Sequence, residues 1–155
     1  MSDAKLMAPV VEPIWRRAFV EAREVAGRLP FSLLQLAMRI AIGFVFFNAG
    51  LLKLRSFEFA VKLFAEQYRL PLVPPELAAR LAMSVELAAS IFLFVGLGTR
   101  LATLPLLAMT LVIVTLVYPA SWAESLLWAS ILLTLLTRGP GVLSLDYLIE
   151  QKLKV

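Results

Sequence analysis

The sequence contains neither cysteine nor histidine. Without cysteine there are no disulfides, no thiol redox chemistry and no cysteine-ligated iron–sulfur clusters. Without histidine and cysteine the usual ligands of haem and of zinc are also missing. Any electron transfer must therefore use a bound small molecule or the cofactor of a partner. The sequence shows no phosphate-binding glycine loop and no nucleophile with an identifiable base, so no catalytic residue is assigned.

Charged residues are also scarce, at 17% of the 155 residues, whereas 61% are apolar. A soluble domain is nearer to about 45–50% apolar. The mean hydropathy of +0.86 therefore indicates a polytopic membrane protein, whose length suits one compact bundle. Its basic residues, which give a net charge of +4, report orientation in the bilayer rather than a nucleic-acid partner.

Four apolar segments are candidates to cross the bilayer as helices. They are residues 33–52, 81–98, 101–118 and 122–136, of which the last is short for a crossing. Residues 57–68 repeat apolar side chains at i, i+3, i+4 and i+7, which predicts an amphipathic helix in the first outer loop, folded over the mouth of the bundle. After the fourth span, Ser144 can cap a short C-terminal helix. The predicted fold is an all-α, four-transmembrane-helix bundle with these two additional helices.

Residues 1–30 contain five cations among apolar residues at helical spacing. This pattern favours an amphipathic helix on an anionic membrane face over a solvated basic tail. The predicted domains are thus a basic N-terminal segment at 1–30 and a four-helix transmembrane domain at 31–155. Four spans place both termini on one side, which carries nine Lys and Arg residues against five on the other. The excess predicts that both termini are cytoplasmic.

Two ionisable residues are predicted to meet inside the bundle. Glu86 lies in the second span, where an isolated charge is costly and normally faces a partner or a water-filled cavity. Helical side chains lean toward their own N-terminus, so Glu86 and Lys53, on antiparallel helices, should approach each other on the outer side of the midplane. They are interpreted either as a polar site for a headgroup, a quinone carbonyl or a proton, or as an ion pair that fixes helix register.

Two more polar residues, Arg39 and Asn48, lie in the first span and complete the predicted set of ligand-binding residues. Arg39 shares a helical stripe with Gly43 and Gly50, which allow close approach of another helix. Its alternative interpretation is a cation that snorkels to the cytoplasmic interface. Asn48 lies on roughly the opposite face and needs a different partner. No metal site is predicted.

Short motifs recur in a fixed order across the four spans. They are Arg39 with Gly43; Phe47, Gly50 and Lys53; Glu86; Gly96-Leu97-Gly98-Thr99-Arg100; Arg138-Gly139-Pro140-Gly141; and Ser144-Leu145-Asp146. In order and spacing they resemble the DoxX family over about residues 33–150. The glycines, Pro140, Arg100, Arg138 and Asp146 are interpreted as structural motif residues, and a salt bridge from Asp146 to either arginine is expected.

The resemblance implies a four-helix protein of the bacterial cytoplasmic (inner) membrane. Some members of the family are membrane subunits of quinone-linked oxidoreductases, such as thiosulfate:quinone oxidoreductase, or associate with redox-defence enzymes. By this resemblance the chain is at most a non-autonomous oxidoreductase subunit, with no covalent cofactor, with quinone as the candidate ligand, and with a cytoplasmic or membrane redox enzyme as the candidate partner. A non-enzymatic scaffold, a small-molecule or lipid carrier, and a homo-oligomer stay open.

Overall fold

Four helices long and apolar enough to cross a membrane dominate the fold. The structure, a computed structural model, describes Trp15, Arg16 and residues 30–153. Within these residues the candidate spans are Phe31–Arg55, Pro75–Val95, Thr99–Val117 and Pro119–Arg138, and no strand occurs. The predicted all-α class with four spans is confirmed. Trp15 and Arg16 are helical, and the rest of the predicted N-terminal helix lies outside the described residues.

Within residues 30–153, six α-helices are numbered in chain order. They are α1 (Phe31–Arg55), α2 (Phe57–Leu63), α3 (Pro75–Val95), α4 (Thr99–Val112), α5 (Trp122–Arg138) and α6 (Leu145–Leu153). A π-helical turn, Phe64–Tyr68, extends α2, and a second one, Ile113–Val117, extends α4. Helices α1, α3, α4 and α5 carry the four spans. Helix α2 with its π-helical turn is the predicted amphipathic segment, and α6 is the predicted C-terminal helix.

The second span is displaced from its predicted boundaries of 81–98. Helix α3 begins at Pro75, because a proline in the first turn lacks only an N–H group that has no partner inside the helix. It ends at Val95, because Gly96 adopts a left-handed conformation with φ of 73°. Gly98, with φ of 56°, immediately precedes α4. The glycine motif is therefore a turn between two spans and does not continue the helix.

Close packing of α1 against α3 positions the residues discussed below. A Cβ atom at Gly43 would lie 2.6 Å from Cε1 of Phe94, and one at Gly50 would lie 2.9 Å from Cγ of Leu87. Glycine at these two positions is what lets the helix backbones approach. The main core is completed by buried side chains from all four spans: Ile42, Phe46, Ala89, Leu93, Ala102, Leu106, Leu132 and Leu135.

The amphipathic segment lies at the end of the bundle where α1 ends and α3 begins. Ala60 and Phe64 are buried against Ala78 and Ala79 of α3 in a second apolar cluster. On the sides of the bundle, by contrast, between 17% and 39% of the residues in the most apolar window of each span are buried inside the protein. The remaining apolar surface requires a lipid bilayer around it.

Candidate functional site

Lys53 and Glu86 form a direct ion pair between α1 and α3. Nζ of Lys53 lies 2.8 Å from Oε1 and 2.9 Å from Oε2 of Glu86. The side chains are only 14% and 4% exposed. Lys53 stands near the C-terminal end of α1 and leans back along it, and Glu86 leans toward the start of α3. The structure thus brings together the two residues that the sequence analysis paired.

The ammonium group of Lys53 keeps one weakly satisfied donor. It has three N–H donors, and two acceptors are the oxygens of Glu86. The third acceptor is the carbonyl oxygen of Ala49, at 3.4 Å. This distance is long for a hydrogen bond. The carbonyl oxygen of Ala49 is also the helical i−4 acceptor of the Lys53 backbone N–H. An oxygen atom of a ligand could replace this contact at little cost.

The ion pair lines a polar cavity of about 340 Å³. We refer to this space as the polar cavity. Its walls come from α1, α3, the two π-helical turns and the start of α5. Besides the ion pair, its polar lining residues are Tyr68, Tyr118, Ser121, Glu124 and Ser125, and its apolar lining includes Phe46 and Trp128.

A second cavity, of about 300 Å³, adjoins the same ion pair beneath the amphipathic segment. We call it the lid cavity. It shares Lys53, Glu86 and Tyr68 with the polar cavity. Its other walls are apolar and include Phe64, Leu70, Val73, Leu81, Val85, Met109 and Val112. The ion pair therefore stands on a wall common to a polar and an apolar space, an arrangement that suits an amphiphilic molecule.

Two tyrosines meet beside the ion pair: Tyr68 ends the first π-helical turn, and Tyr118 immediately follows the second. The rings of Tyr68 and Tyr118 lie edge to face, with centroids 5.9 Å apart, and Nε2 of Gln67 donates to the Tyr118 hydroxyl at 2.9 Å. Burial raises the pKa of Tyr68 well above its usual value, and the hydrogen bond with Tyr118 and the charge of Glu86 raise it further. Tyr68 is therefore a neutral phenol at physiological pH and can act as a hydrogen-bond donor.

Sequence reasoning missed several residues of the polar cavity. Tyr68, Tyr118 and Trp128 were not singled out, because aromatic residues of a membrane bundle commonly fill the core or lie at interfacial depth. Ser125 carried no signal at all, because a serine in an apolar helix is common. The two π-helical turns, which aim the tyrosines, have no sequence signature that we recognise, although such turns are frequent at functional sites.

Arg39 lies at the other end of α1 and is not part of the polar cavity lining. It is 1% exposed, and its Nη2 donates to the carbonyl oxygen of Leu143 at 2.7 Å. Nε and Nη1 have no hydrogen-bond partner among the described residues. The interpretation of Arg39 as a snorkelling cation is therefore wrong, because the tail between α5 and α6 covers it.

The glycine motifs and Asp146 enclose Arg39 in a structure that we call the clamp. Oδ1 of Asp146 accepts from the Gly98 N–H at 2.7 Å, and Oδ2 accepts from the Thr99 N–H at 3.1 Å. The carboxylate thus caps the N-terminus of α4. A Cβ atom at Gly96 would overlap the guanidinium group of Arg39. The clamp therefore holds the α3–α4 turn, the tail and α1 together.

Gln35, which sequence reasoning did not single out, connects α1 to the glycine-proline motif of the tail. Its Nε2 donates to the carbonyl oxygen of Gly139 at 2.9 Å, and a Cβ atom at Gly141 would lie 2.7 Å from its Oε1. Pro140 stands between these two glycines, both of which have positive φ. The tail can therefore turn tightly against α1.

Arg100 and Arg138 are exposed on the same end of the bundle. Within residues 30–153 the structure shows no ion pair from Asp146 to either of them, because its two carboxylate oxygens bind backbone N–H groups. Ser144 does cap α6, since its Oγ accepts from the Tyr147 N–H at 3.2 Å. The expected salt bridge is thus replaced by a helix cap, and the expected serine cap is present.

A family comparison matches these elements to one known group of proteins. The family model described as DoxX matches residues 34–119, which is more than half of the chain. The chain belongs to the DoxX family. The DoxX match includes α1, α3 and α4 with both residues of the ion pair, while the tail residues of the clamp lie beyond it. Comparisons with curated proteins and with solved structures found no match.

Asn48 is the predicted site residue that the structure leaves apart. It is exposed on α1, and its side chain makes no hydrogen bond with any residue of the described part of the DoxX chain. Lys53 and Glu86 thus form the centre of the candidate site, Arg39 lies in the clamp, and Asn48 faces outward. The residues described also contain no group of three or more Asp and Glu side chains that could hold a metal ion.

Proposed function

We propose that this DoxX protein is a membrane subunit of an oxidoreductase complex and binds a quinone at Lys53 and Glu86. The observation that carries the proposal is the ion pair on a wall shared by the polar cavity and the lid cavity. A quinone has a polar ring and an apolar chain, and it needs both kinds of space. An ion pair that only fixed helix register would need neither cavity.

The residues around the pair match the needs of such a ligand. The weakly bonded donor of Lys53 binds a carbonyl oxygen of the quinone. Glu86 holds the ammonium group in place and offers a carboxylate for proton transfer. Tyr68 supplies a further donor at the same wall, and unlike the Lys53 ammonium group it is neutral. A bound quinone supplies the capacity to accept electrons, which reach it from a cofactor of the partner because the chain has no cysteine or histidine ligands.

The proposal is tested with the intact complex and one substitution. We expect the purified chain alone to show no redox turnover, and its complex to show quinone-dependent activity that falls at least about tenfold in Glu86→Gln. Glu76→Gln is the matched control, because Glu76 is an exposed carboxylate of the same helix, paired with Arg80. Turnover by the isolated chain would contradict the subunit role, and an unaffected Glu86→Gln complex would contradict the site.

The same proposal includes a location and an orientation. The chain lies in the bacterial cytoplasmic membrane with both termini inside, where residues 1–30 form a separate basic segment that docks a cytoplasmic redox enzyme. The chain has no cysteine, so single cysteines report sidedness directly. Glu58→Cys on α2 should react with an impermeant thiol reagent in intact cells, and Lys152→Cys on α6 should not. The reverse pattern would overturn the orientation.

A carrier of amphiphiles is the second candidate, and the two adjoining cavities also favour it. Chain reconstituted in liposomes should show no ligand-dependent flux if the subunit proposal is right. Flux that Glu86→Gln abolishes would favour the carrier. Co-purification of a partner without any cofactor, together with an absence of flux, would favour a scaffold.

A further inference from the structure

The hydroxyl group of Ser125 is a buried polar group that the ion pair does not use. Ser125 is 3% exposed, and its Oγ has no hydrogen-bond partner among the described residues. A buried hydroxyl without a partner is destabilising, so such a group normally has one. Since the described chain supplies none, the partner of this hydroxyl is expected to be a molecule in the adjoining space.

Six hydroxyl groups of the spans bond to the backbone of their own helix. They donate to the backbone carbonyl three or four residues earlier, as seen for Thr103, Thr110, Thr115, Ser130, Thr134 and Thr137. Ser125 makes no such bond, so its hydroxyl group has no partner among the described residues. Within the described part of the chain Ser90 and Thr99 also lack a partner, but Ser125 is the one of these three that lines the polar cavity.

Ser125 approaches the polar cavity from a different helix than the ion pair does. It stands in the first turns of α5, whereas Lys53 and Glu86 belong to α1 and α3. It also lines a groove between α4 and α5, of about 570 Å³, whose other lining residues are almost all apolar. A molecule that reaches the polar cavity from the bilayer between these helices therefore meets the Ser125 hydroxyl group.

We propose that Ser125 is a second polar contact for the ligand of the polar cavity. The ligand class is then an amphiphile whose headgroup carries two separate hydrogen-bonding oxygen atoms. One oxygen binds the Lys53 ammonium group, and the other binds the Ser125 hydroxyl. This inference rests on the proposed function, and it makes Ser125 the residue that distinguishes a headgroup with two oxygens from a headgroup with one.

The experiment compares two ligands on purified full-length chain in lipid nanodiscs. The first is a decyl-substituted para-benzoquinone, and the second is an analogue in which one ring carbonyl is replaced by a dimethyl-substituted carbon. Ser125→Ala should weaken binding of the quinone about fivefold, which is the loss of one neutral hydrogen bond, and should leave binding of the analogue within about twofold. Ser130→Ala is the control, because that hydroxyl already donates to Leu127, and it should change neither affinity.

Each other outcome is decisive. If Ser125→Ala weakens both ligands equally or neither of them, the second contact is refuted. A wild-type chain that binds neither ligand overturns this inference together with the proposed site. Binding that depends on both oxygens, in a complex whose activity does not depend on quinone, overturns the proposed function alone and leaves the inference standing.

Discussion

Helix α1 carries one largely buried cation near its C-terminal end and one fully buried cation in its N-terminal half, and the bundle holds the two in different ways. Lys53 pairs with a carboxylate and lines two cavities. Arg39, about 21 Å away along the helix at the α-helical rise per residue, donates to a backbone carbonyl and is enclosed by the clamp. Both cations are shielded from water. Lys53 borders two cavities, which makes its end of the bundle the open end, whereas protein atoms surround Arg39, which makes its end the closed end.

The contrast teaches that burial of a charge does not by itself mark a binding site. In the clamp the space around the charge is filled by protein: Asp146 caps α4, Gln35 binds Gly139, and the guanidinium group packs directly against Gly96. Two nitrogens of Arg39 also lack partners among the residues that the structure describes, and one of them, Nη1, packs against the Gly96 backbone. At the Lys53 end, the underused polar atoms face empty volume, which is where a ligand can supply the missing bonds.

The largest effect on stability is expected from removing only one partner of the Lys53–Glu86 ion pair at the open end. Lys53→Met leaves the carboxylate of Glu86 buried without a partner and should lower the free energy of unfolding by about 3–5 kcal/mol. The double variant Lys53→Met with Glu86→Leu should recover most of that loss, because no charge is then buried. Unfolding in mixed detergent micelles measures both. Glu86→Leu alone completes the cycle: if its loss and that of Lys53→Met simply add in the double variant, the residues are not coupled.

The ion pair could be predicted from sequence because it depends on local rules. The helical rise sets the depth of Lys53 and Glu86 in the membrane. Because helical side chains lean toward the N-terminus, these two side chains lean toward each other. The four spans follow from hydropathy in the same way. Span boundaries were less accurate, because the left-handed turn at Gly96 stops α3 three residues before the apolar run ends.

The rest of the site depends on contacts between distant parts of the chain. The partner of Arg39 is a carbonyl 104 residues away, in a tail whose path follows from the glycine conformations and from Gln35. The polar cavity depends on two π-helical turns and on how α5 packs beside α4. No periodicity of a single segment contains this information, so Ser125 and the tyrosine contact were out of reach of sequence reasoning.

The next largest effect is expected at the closed end, in the clamp, where two glycines of the α3–α4 turn can be compared. Gly96→Ala adds the strain of a left-handed alanine, about 1–2 kcal/mol, to an overlap with Arg39, so we expect a loss of about 3–4 kcal/mol in the free energy of unfolding. Gly98→Ala adds similar strain, but its Cβ atom would meet nothing within 4 Å, so it should cost only about 1–2 kcal/mol. Equal losses in the two variants would show that Arg39 does not constrain the turn.

A smaller effect tests whether the clamp is purely structural. Asp146→Ala removes the cap of α4 and should lower the free energy of unfolding by about 1–2 kcal/mol, while Asp146→Asn keeps one side-chain acceptor and should lose less. Neither variant should change quinone affinity in the ligand-binding assay, because the clamp lies at the end of α1 remote from the polar cavity. A change in affinity without a change in stability would mean that the two ends are coupled.

The smallest effect is the pH dependence of stability that arises from Tyr68 at the open end. In the folded chain the pKa of Tyr68 is raised, whereas in the unfolded chain it returns to about 10. Above that pH the unfolded chain releases the phenol proton while the folded chain retains it, so the contribution of Tyr68 to stability is full below pH 10 and declines as the pH rises. Half a pH unit above this value, the decline should amount to about 1 kcal/mol for a single group.

Tyr68→Phe removes this titration and isolates it from the rest of the chain. The variant should lose less stability than the parent between about pH 10 and pH 11, and thermal unfolding at each pH measures the difference. The ultraviolet absorbance of tyrosinate in the folded parent should correspondingly contain a late component that Tyr68→Phe removes. Tyr147→Phe, on exposed α6, is the control for the loss of one phenol hydroxyl. Parallel stability curves for Tyr68→Phe and the parent would show that Tyr68 ionises freely, and that the wall beside Glu86 is open to water.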